Sequence, residues 1–405
     1  MAAIWAGRAA PDRHPSITVL DGARSLGAKI LVAGGGRCNV THHHVDETAY
    51  AGSTRPAIGK VLRRFDADRT VEFFRELGVE LKREETGKLF PTTDRARTVL
   101  DALLNAARDA GAEIQYPRRV ERIEQTNDAG FIVHGPEGEW GSLRADRVII
   151  ATGGKSLPKT GSDGAGYAIV RALGHTVTQR ITAALAPLVV EKDSFIRDLS
   201  GLTLNATLEV RTGNGKRLVS FTNSTLCTHF GLSGPAPMDI SRYLAHARLD
   251  DPGAHLVINW LPHETPESAE AALLGPAGSA PLKWLREHAS ERLARALCAQ
   301  AKIDPSAPAG LTREQRRALV TAATEMPIPV TGDRGWTHAE ATAGGVPLRE
   351  LRLETMESRI TPGLFICGEI CDVDGRIGGF NFQWAWASGF VAGNAAGALI
   401  GSCQL

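Results

Sequence analysis

Residues 361–393 read TPGLFICGEICDVDGRIGGFNFQWAWASGFVAG. A short apolar strand, 364–367, stops at Gly368-Glu369. A loop rich in acids and carrying Arg376 follows, and Gly378-Gly379-Phe380-Asn381 then opens a helix of Ala, Gly and Trp. A carboxylate at a strand end accepts sugar hydroxyls, and a glycine-opened helix N-terminus turns a positive dipole end toward an electron-rich ring oxygen. Ala385, Ala387, Gly389 and Gly393 leave that helix room to lie against a sheet or something flat. The pattern is that of an open α/β sheet with its ligand outside the carboxyl ends of the strands.

Three other stretches end the same way. RVIIATGG, 147–154, runs an apolar strand into Thr152-Gly153-Gly154. GGGRCN, 34–39, strings three glycines before Arg37, Cys38 and Asn39, so that backbone N–H groups can meet an anion and Arg37 can add a planar charged contact. MAAIWAGRAAPDRHPSITVLD, 1–21, reads as a helix stopped at Pro11, then a strand over 17–21 ending in Asp21. That is the second half of a βαβ unit, with an acid placed to accept both ribose hydroxyls of an adenosine. Each stretch taken alone is also an ordinary turn.

Composition frames this reading. In 405 residues there are 46 basic and 45 acidic side chains, which gives no support to a nucleic-acid or acidic-membrane partner. The 43 glycines, roughly one residue in ten against a usual ~7%, cluster in pairs and triplets. Six cysteines in a chain of this length make no disulfide framework. No signal peptide and no apolar run of ~18–20 residues is present, so a soluble cytoplasmic protein with no membrane partner is expected.

Amphipathic helices are expected over 66–78, with Val71, Phe74 and Leu77 on its stripe and Gly78 closing it, over 95–111, and near 164–173. Residues 81–91 read as two strands around a turn, and 113–116, 119–125, 130–134 and 147–151 as further strands. The texture turns β-rich over 187–265 and helical over 266–329. The glycine-rich texture then returns from about Val330. The expected organisation is therefore one α/β domain built from 1–186 and 330–405, interrupted by a β-rich insert and a small helical subdomain.

The stretches AKILVAGGGRCNVT, ATGGKSLPKTGSDGAGYAIVRALGH, THFGLSGPAPMDISRYL, AEATAGGVPLREL and TMESRITPGLFICGEICDVDGRIGGFNFQWAWASG, in this order, resemble the BaiN/YhiN-like flavoproteins, also described as aminoacetone-oxidase-type or NAD(P)/FAD-dependent oxidoreductases. The resemblance spans about residues 1–397. It implies a glutathione-reductase-like, Rossmann-type FAD domain interrupted by a β-barrel and a helical subdomain. It implies FAD as cofactor, NAD(P)H as a possible electron donor, and a small-molecule substrate exchanging hydride with the flavin.

By the same resemblance Asp21 holds the adenosine ribose, and Lys29, Gly35, Gly36, Arg37, Cys38 and Asn39 lie along the cofactor. Val120 meets the adenine region by its backbone, and Thr152, Gly153 and Gly154 pass beside the dinucleotide. Gly368 and Glu369 meet the ribityl chain or phosphate. Asp374, Gly378, Gly379, Phe380 and Asn381 complete the flavin end. Members of the family begin with a strand and a Gly-x-Gly-x-x-Gly loop ahead of the helix that here starts MAAIWAG, on the order of 15–20 residues. The expectation is that Met1 is an internal methionine of a longer protein, the alternative being a vestigial, non-catalytic flavin binder.

Weaker signals are three. His42-His43-His44 lacks a carboxylate or cysteine at ligand spacing, so no metal is expected. Cys367 and Cys371 are spaced as a conceivable redox pair, although Cys367 falls in a buried strand. His338, just before a glycine pair expected near the flavin, is a weak candidate acid–base catalyst.

Overall fold

The computed structural model describes residues 1–10, 15–274 and 280–398. Pro11, expected to stop the first helix, lies outside the described residues. The chain divides into two compact units, one of Met1–Ala183 with Glu340–Leu405, the other Ala184–Ala339.

In the first unit, strand Ile17–Leu20 runs parallel to Ala112–Gln115, and strand Val148–Ile150 runs parallel to Leu364–Ile366. Leu364–Ile366 is wholly buried, as a β-branched and aromatic run covered on both faces must be. Ile17–Leu20 is half-buried throughout, and Val148–Ile150 is buried only at Ile150. All these strands point their carboxyl ends the same way within their ladders. Asp21, the 151–154 loop and Gly368-Glu369 are therefore strand-end features.

Helix Ala67–Glu76 starts where Asp66 caps it, its carboxylate accepting the Arg69 N–H at 2.9 Å. Its buried face is Ala67, Thr70, Phe73 and Phe74, with Val71 half-buried, rather than the expected Val71–Phe74–Leu77 stripe. The turn toward Thr70 has a cause: its hydroxyl donates to Asp66 O (2.9 Å) and also lies 2.9 Å from Gln383 Oε1, so this polar side chain is satisfied when buried.

Helix Phe380–Ala398 packs the glycines of its second half against helix Ala2–Arg8. A Cβ at Gly393 would stand 2.2 Å from the Ala2 carbonyl oxygen, and one at Gly397 2.3 Å from that of Ala6. Backbone therefore lies on backbone. Ile4, Trp384, Trp386 and Phe74 share the core beneath, with Phe74 edge-on to Trp386 at 5.6 Å.

The second unit holds a seven-stranded sheet ordered Met326–Ile328, His255–Asn259, Thr203–Arg211, Arg217–Thr228, Gly231–Ser233, Leu188–Val190, Val330–Asp333, with neighbouring strands antiparallel. The first and last strands are opposite edges of the sheet, yet only Pro329 separates them in the chain. Consecutive Cα atoms are ~3.8 Å apart, so the sheet is rolled until its edges nearly meet.

The stretch expected to be β-rich also holds a 16-residue helix, Pro235–Asp250. Its prolines fall in the first turn, where no helical N–H is needed, and Ala236, Ile240 and Leu244 repeat every four residues on its buried face. Helices Pro266–Leu274, Pro281–His288, Glu291–Gln300 and Arg313–Thr324 share one apolar core with this sheet, to which Leu293, Leu297, Leu319, Leu256 and Ile258 all belong.

Candidate functional site

The strand Ile17–Leu20 delivers Asp21, whose backbone is pinned on both sides. Its N–H donates to Gln115 O at 3.1 Å, and its carbonyl accepts the Arg118 N–H at 2.7 Å. One carboxylate oxygen takes the Ala23 N–H at 2.8 Å. Val120, half-buried, follows in the loop that Trp140 anchors by donating its indole N–H to Arg119 O at 3.0 Å.

Beside this loop opens a cavity of about 500 Å³, lined in part by Arg119, Lys155, Asp163, Tyr167 and Arg171. Burial works to raise the Asp163 carboxyl. The Ala165 N–H and the Arg119 guanidinium at 2.7 Å outweigh it and hold the group below its usual range.

The glycine triplet behaves as its sequence requires. Gly34, Gly35 and Gly36 have φ of +56°, +69° and +85°, and a Cβ on Gly35 would meet nothing within 4 Å. The backbone there borders open space, as a cradle for a ligand must. Asn39 is buried, and its Oδ1 has no hydrogen-bond partner among the described residues. Cys38 is fully buried, with its thiol pushed up to about 12 by desolvation. Arg37 is already engaged. It pairs with Glu84 at 2.6 Å and Asp94 at 3.6 Å, and its guanidinium lies 4.0 Å over Phe90.

Glu369 is the centre of the second group. Lys29 forms an ion pair with its Oε2, while Oε1 accepts from Ser156 Oγ and from the Thr342 N–H, each at 2.9 Å. Lys29 also reaches Ser156 Oγ at 2.7 Å, and Thr342 Oγ1 accepts the N–H groups of Lys155 (2.8 Å) and Ser156 (3.1 Å). Three chain segments thus converge on the carboxylate of a fourth. Gly154 must be glycine here, since its Cβ would fall 2.3 Å from Thr342 Oγ1. Thr152 lies under the following helix, where Gly166 leaves space for its hydroxyl, and Gly153 (φ +74°) faces Ser162. The buried Ser162 Oγ has no partner among the described residues. Gly368, at φ +78°, again borders open space.

At the flavin end proposed from sequence, Gly378 and Gly379 have φ of +132° and +95°, and Gly379 lies directly on the Thr41 backbone. Phe380 stacks on His42 at 5.0 Å, and its carbonyl accepts from Tyr50 Oη at 2.8 Å. Asn381 spends both ends of its amide on Gly375, 2.9 Å to its N–H and 2.9 Å to its carbonyl, and so shapes the loop. Asp374 is buried at 3% exposure. Sequence reasoning passed over Ser156, Thr342 and Ser162, although Ser156 and Thr342 sit inside the quoted ATGGKS and AEATAGG. It also missed the buried Gln383, which ties Thr41, Thr70 and the Phe65 carbonyl together under the helix start.

The weaker signals resolve simply. His42 Nε2 lies 3.0 Å from Thr86 O, His44 faces Asp46 at 3.1 Å, and no group of three metal-binding side chains occurs among the described residues. Cys367 and Cys371 are buried. Desolvation pushes the first thiol up to about 12 and the second well above its ordinary value. His338 belongs to the second unit, where its Nδ1 lies 2.9 Å from Thr337 Oγ1 and 3.2 Å from Arg334 O. No described helix is long and apolar enough to cross a membrane.

FAD fits this set on three observations. Glycine backbones at 35 and 368 border open space, two buried polar atoms at 39 and 162 lack partners among the described residues, and an acid stands at the end of strand Ile17–Leu20. A Rossmann-type flavoprotein, an FAD-dependent oxidoreductase, is the class these features define. The chain belongs to the HI0933-like protein Rossmann domain family, whose model matches residues 1–395. It is 32% identical over 401 residues to a 3-dehydro-bile acid delta(4,6)-reductase of Clostridium scindens, covering 98% of this chain and 96% of that one. It is 31% identical over 384 residues to a ribosomal RNA dihydrouridine synthase of Haemophilus influenzae, covering 93% and 91%. Among solved structures, a 3-ketosteroid-delta4-(5alpha)-dehydrogenase of Rhodococcus jostii aligns with a TM-score of 0.46 at 16% identity, covering 98% of this chain and 93% of that one.

Proposed function

We propose that this protein reduces a ring carbon–carbon double bond conjugated with a carbonyl, with NAD(P)H as the ultimate electron donor. The observation that carries the reading is a coincidence of bond type. One relative is named for a delta(4,6) reduction in a 3-dehydro-bile acid and another for making dihydrouridine, and both names describe saturation of a ring double bond. Bound, reduced FAD would supply the hydride for the β-carbon, its electron pair coming from NAD(P)H, with a proton from solvent completing the α-carbon.

The chain's own residues bind and orient. Asp21 receives the ribose hydroxyls, and the Gly34–Gly36 backbone and Asn39 Oδ1 line the cofactor. Lys29, Ser156 and Thr342 hold the Glu369 carboxylate in one orientation beside it. The first turn of helix Phe380–Ala398 would offer its N–H groups to an electron-rich edge of the bound flavin. Gly36, Gly153, Gly154, Gly378 and Gly379 act by position and backbone. The expected absence of a nucleic-acid partner finds no support in the relatives. Uracil within RNA belongs to the same bond class as a free enone, and two relatives are named for a ribosomal RNA reaction.

The test is anaerobic turnover by FAD-supplemented protein with NADPH, offered in parallel a cyclic enone and a uracil-containing RNA. Loss of enone absorbance or appearance of dihydrouridine supports the reading. A flavin that NADPH reduces, with neither substrate consumed, refutes it. A protein that binds FAD without being reduced by any donor is the non-catalytic flavin binder.

A further inference from the structure

Glu340 opens the segment that supplies Thr342, and the cofactor cradle described above does not use its side chain. Its carbonyl oxygen lies 3.3 Å from Ser156 Oγ, the hydroxyl that also meets Lys29 and Glu369, and two residues on the Thr342 N–H donates to Glu369. The Glu340 backbone is therefore seated one hydroxyl away from the Lys29–Glu369 pair. Its side chain is exposed, and among the described residues its carboxyl group has neither hydrogen bond nor ion pair.

Two cations mark where that carboxyl stands. Lys29 and Lys88 are both close enough to favour its charged form. Lys29 belongs to the Glu369 group. Lys88 belongs to the other end of the site. It is the cross-strand partner of His42, whose ring stacks on Phe380, and cross-strand partners share one face of a ladder. Glu340 thus reaches the space between the strand-end carboxylate and the start of helix Phe380–Ala398. Surrounding protein desolvates the carboxyl and raises it above its usual range in spite of both lysines. A group that water reaches and that protein still desolvates stands on the wall of a cleft. Its neighbours are committed elsewhere. Glu369 receives Lys29, Ser156 and Thr342, the His42 ring nitrogens lie 2.9 Å from His44 O and 3.0 Å from Thr86 O, and Tyr50 Oη donates to Phe380 O.

We propose that Glu340 is the acid that hands the α-carbon its proton in the ring reduction. The assignment rests on the reading given under the proposed function. Hydride addition at the β-carbon leaves an enolate whose electron pair is available at the α-carbon. The Glu340 O–H bond breaks, its proton joins that pair in a new C–H bond, and the carboxylate left behind takes a proton back from solvent. No electrons pass through Glu340. Desolvation favours the acid form that the first step needs, and exposure lets water complete the second.

The test has two arms. In the first, FAD-loaded wild type, Glu340→Gln and Glu340→Asp are offered NADPH with cyclohex-2-enone and with a uracil-containing RNA. Glu340→Gln should reduce the accepted substrate about a hundredfold or more slowly, and Glu340→Asp should keep part of the rate. The wild-type rate should fall as pH rises through the Glu340 value, and that limb should vanish in Glu340→Gln. Melting curves and FAD affinity report the fold of each variant. In the second arm, flavin-free wild type is treated with a carbodiimide and glycine ethyl ester. Mass spectrometry should find the label on Glu340, and saturating FAD should block it. This arm stands where both variants unfold. A wild type that reduces neither substrate overturns the ring-bond reading and the assignment with it. A wild type that reduces one of them, matched within a few-fold by a folded Glu340→Gln, overturns the assignment alone. So does labelling that FAD leaves unchanged, which would put the carboxyl outside the site.

Discussion

Replacing Glu369 by Gln keeps the side chain's size and removes only its charge. In the native structure one oxygen receives Lys29, and the other receives the Ser156 hydroxyl and the Thr342 N–H. A glutamine has one acceptor and one donor end. With its oxygen toward Ser156 and Thr342, its NH₂ faces the Lys29 ammonium. Flipped, its NH₂ faces the Thr342 N–H, which has nothing to accept with. Either orientation leaves one donor opposed to a donor, a loss of about 1–3 kcal/mol for a buried polar group. The Lys29 side chain is 29% exposed and that of Glu369 17%, so water relieves part of this and the lower half of the range is expected. A unit of this size melts about 2–4 °C lower per kcal/mol. The assay is a melting curve paired with FAD titration by flavin fluorescence. The melting temperature should fall by a few degrees and FAD affinity about tenfold or more. A Glu369→Gln variant with wild-type melting and wild-type FAD affinity would show that the four segments do not depend on this carboxylate, and the site as built here would be wrong.

Other expectations follow from single positions. Gly35→Ala places a Cβ in open space at φ +69°, so it should cost about 1–2 kcal/mol of stability, yet weaken FAD binding by a larger factor; equal proportional effects would mean that the cofactor does not approach there. Glu350 is held below its usual 4.5 because Thr176 and His175 outweigh the burial that works to raise it, so its contribution is present above 4.5 and lost as pH falls through the lowered value. Glu350→Gln should therefore flatten the stability–pH curve at its acid end, measured by urea unfolding at several pH values, while an unchanged curve would discount the pair. Cys367→Ser and Cys371→Ser should leave turnover with any identified substrate within a few-fold of wild type, and iodoacetamide at pH 8 should not label either thiol in the native protein by mass spectrometry.

What the sequence disclosed depended on how local the cause was. Strand ends punctuated by glycine or an acid, at Asp21, 152–154 and 368–369, were legible because each is a short-range backbone requirement. The helix at 235–250 was not, because its start rests on prolines that read as breakers until their first-turn position is known. The burial of Thr70 was invisible for another reason. It depends on Gln383, more than three hundred residues away, and only the fold brings the two together. Arg37 has partners that its own stretch does not announce. A basic residue beside three glycines reads as a ligand contact, and that Glu84 and Asp94 also pair with it is set by another hairpin. Ser156 and Thr342 lay inside recognised stretches, and their hydroxyls gained meaning only from facing one carboxylate.

The seating of helix Ala2–Arg8 on the glycines of helix Phe380–Ala398 sets an order of events during synthesis. Helix Ala2–Arg8 finds its partner only when helix Phe380–Ala398 emerges, whereas Ala184–Ala339 is contiguous and can close on its own residues well before that. The flavin-binding unit is thus the late one. Its early half waits, with Ile4 and Trp5 uncovered, for a translation time of some tens of seconds at bacterial elongation rates of about 5–20 residues per second. Chaperone demand and premature-stop sensitivity should fall on that half, and a nascent chain halted before residue 380 should present a finished insert on an unfinished cofactor domain.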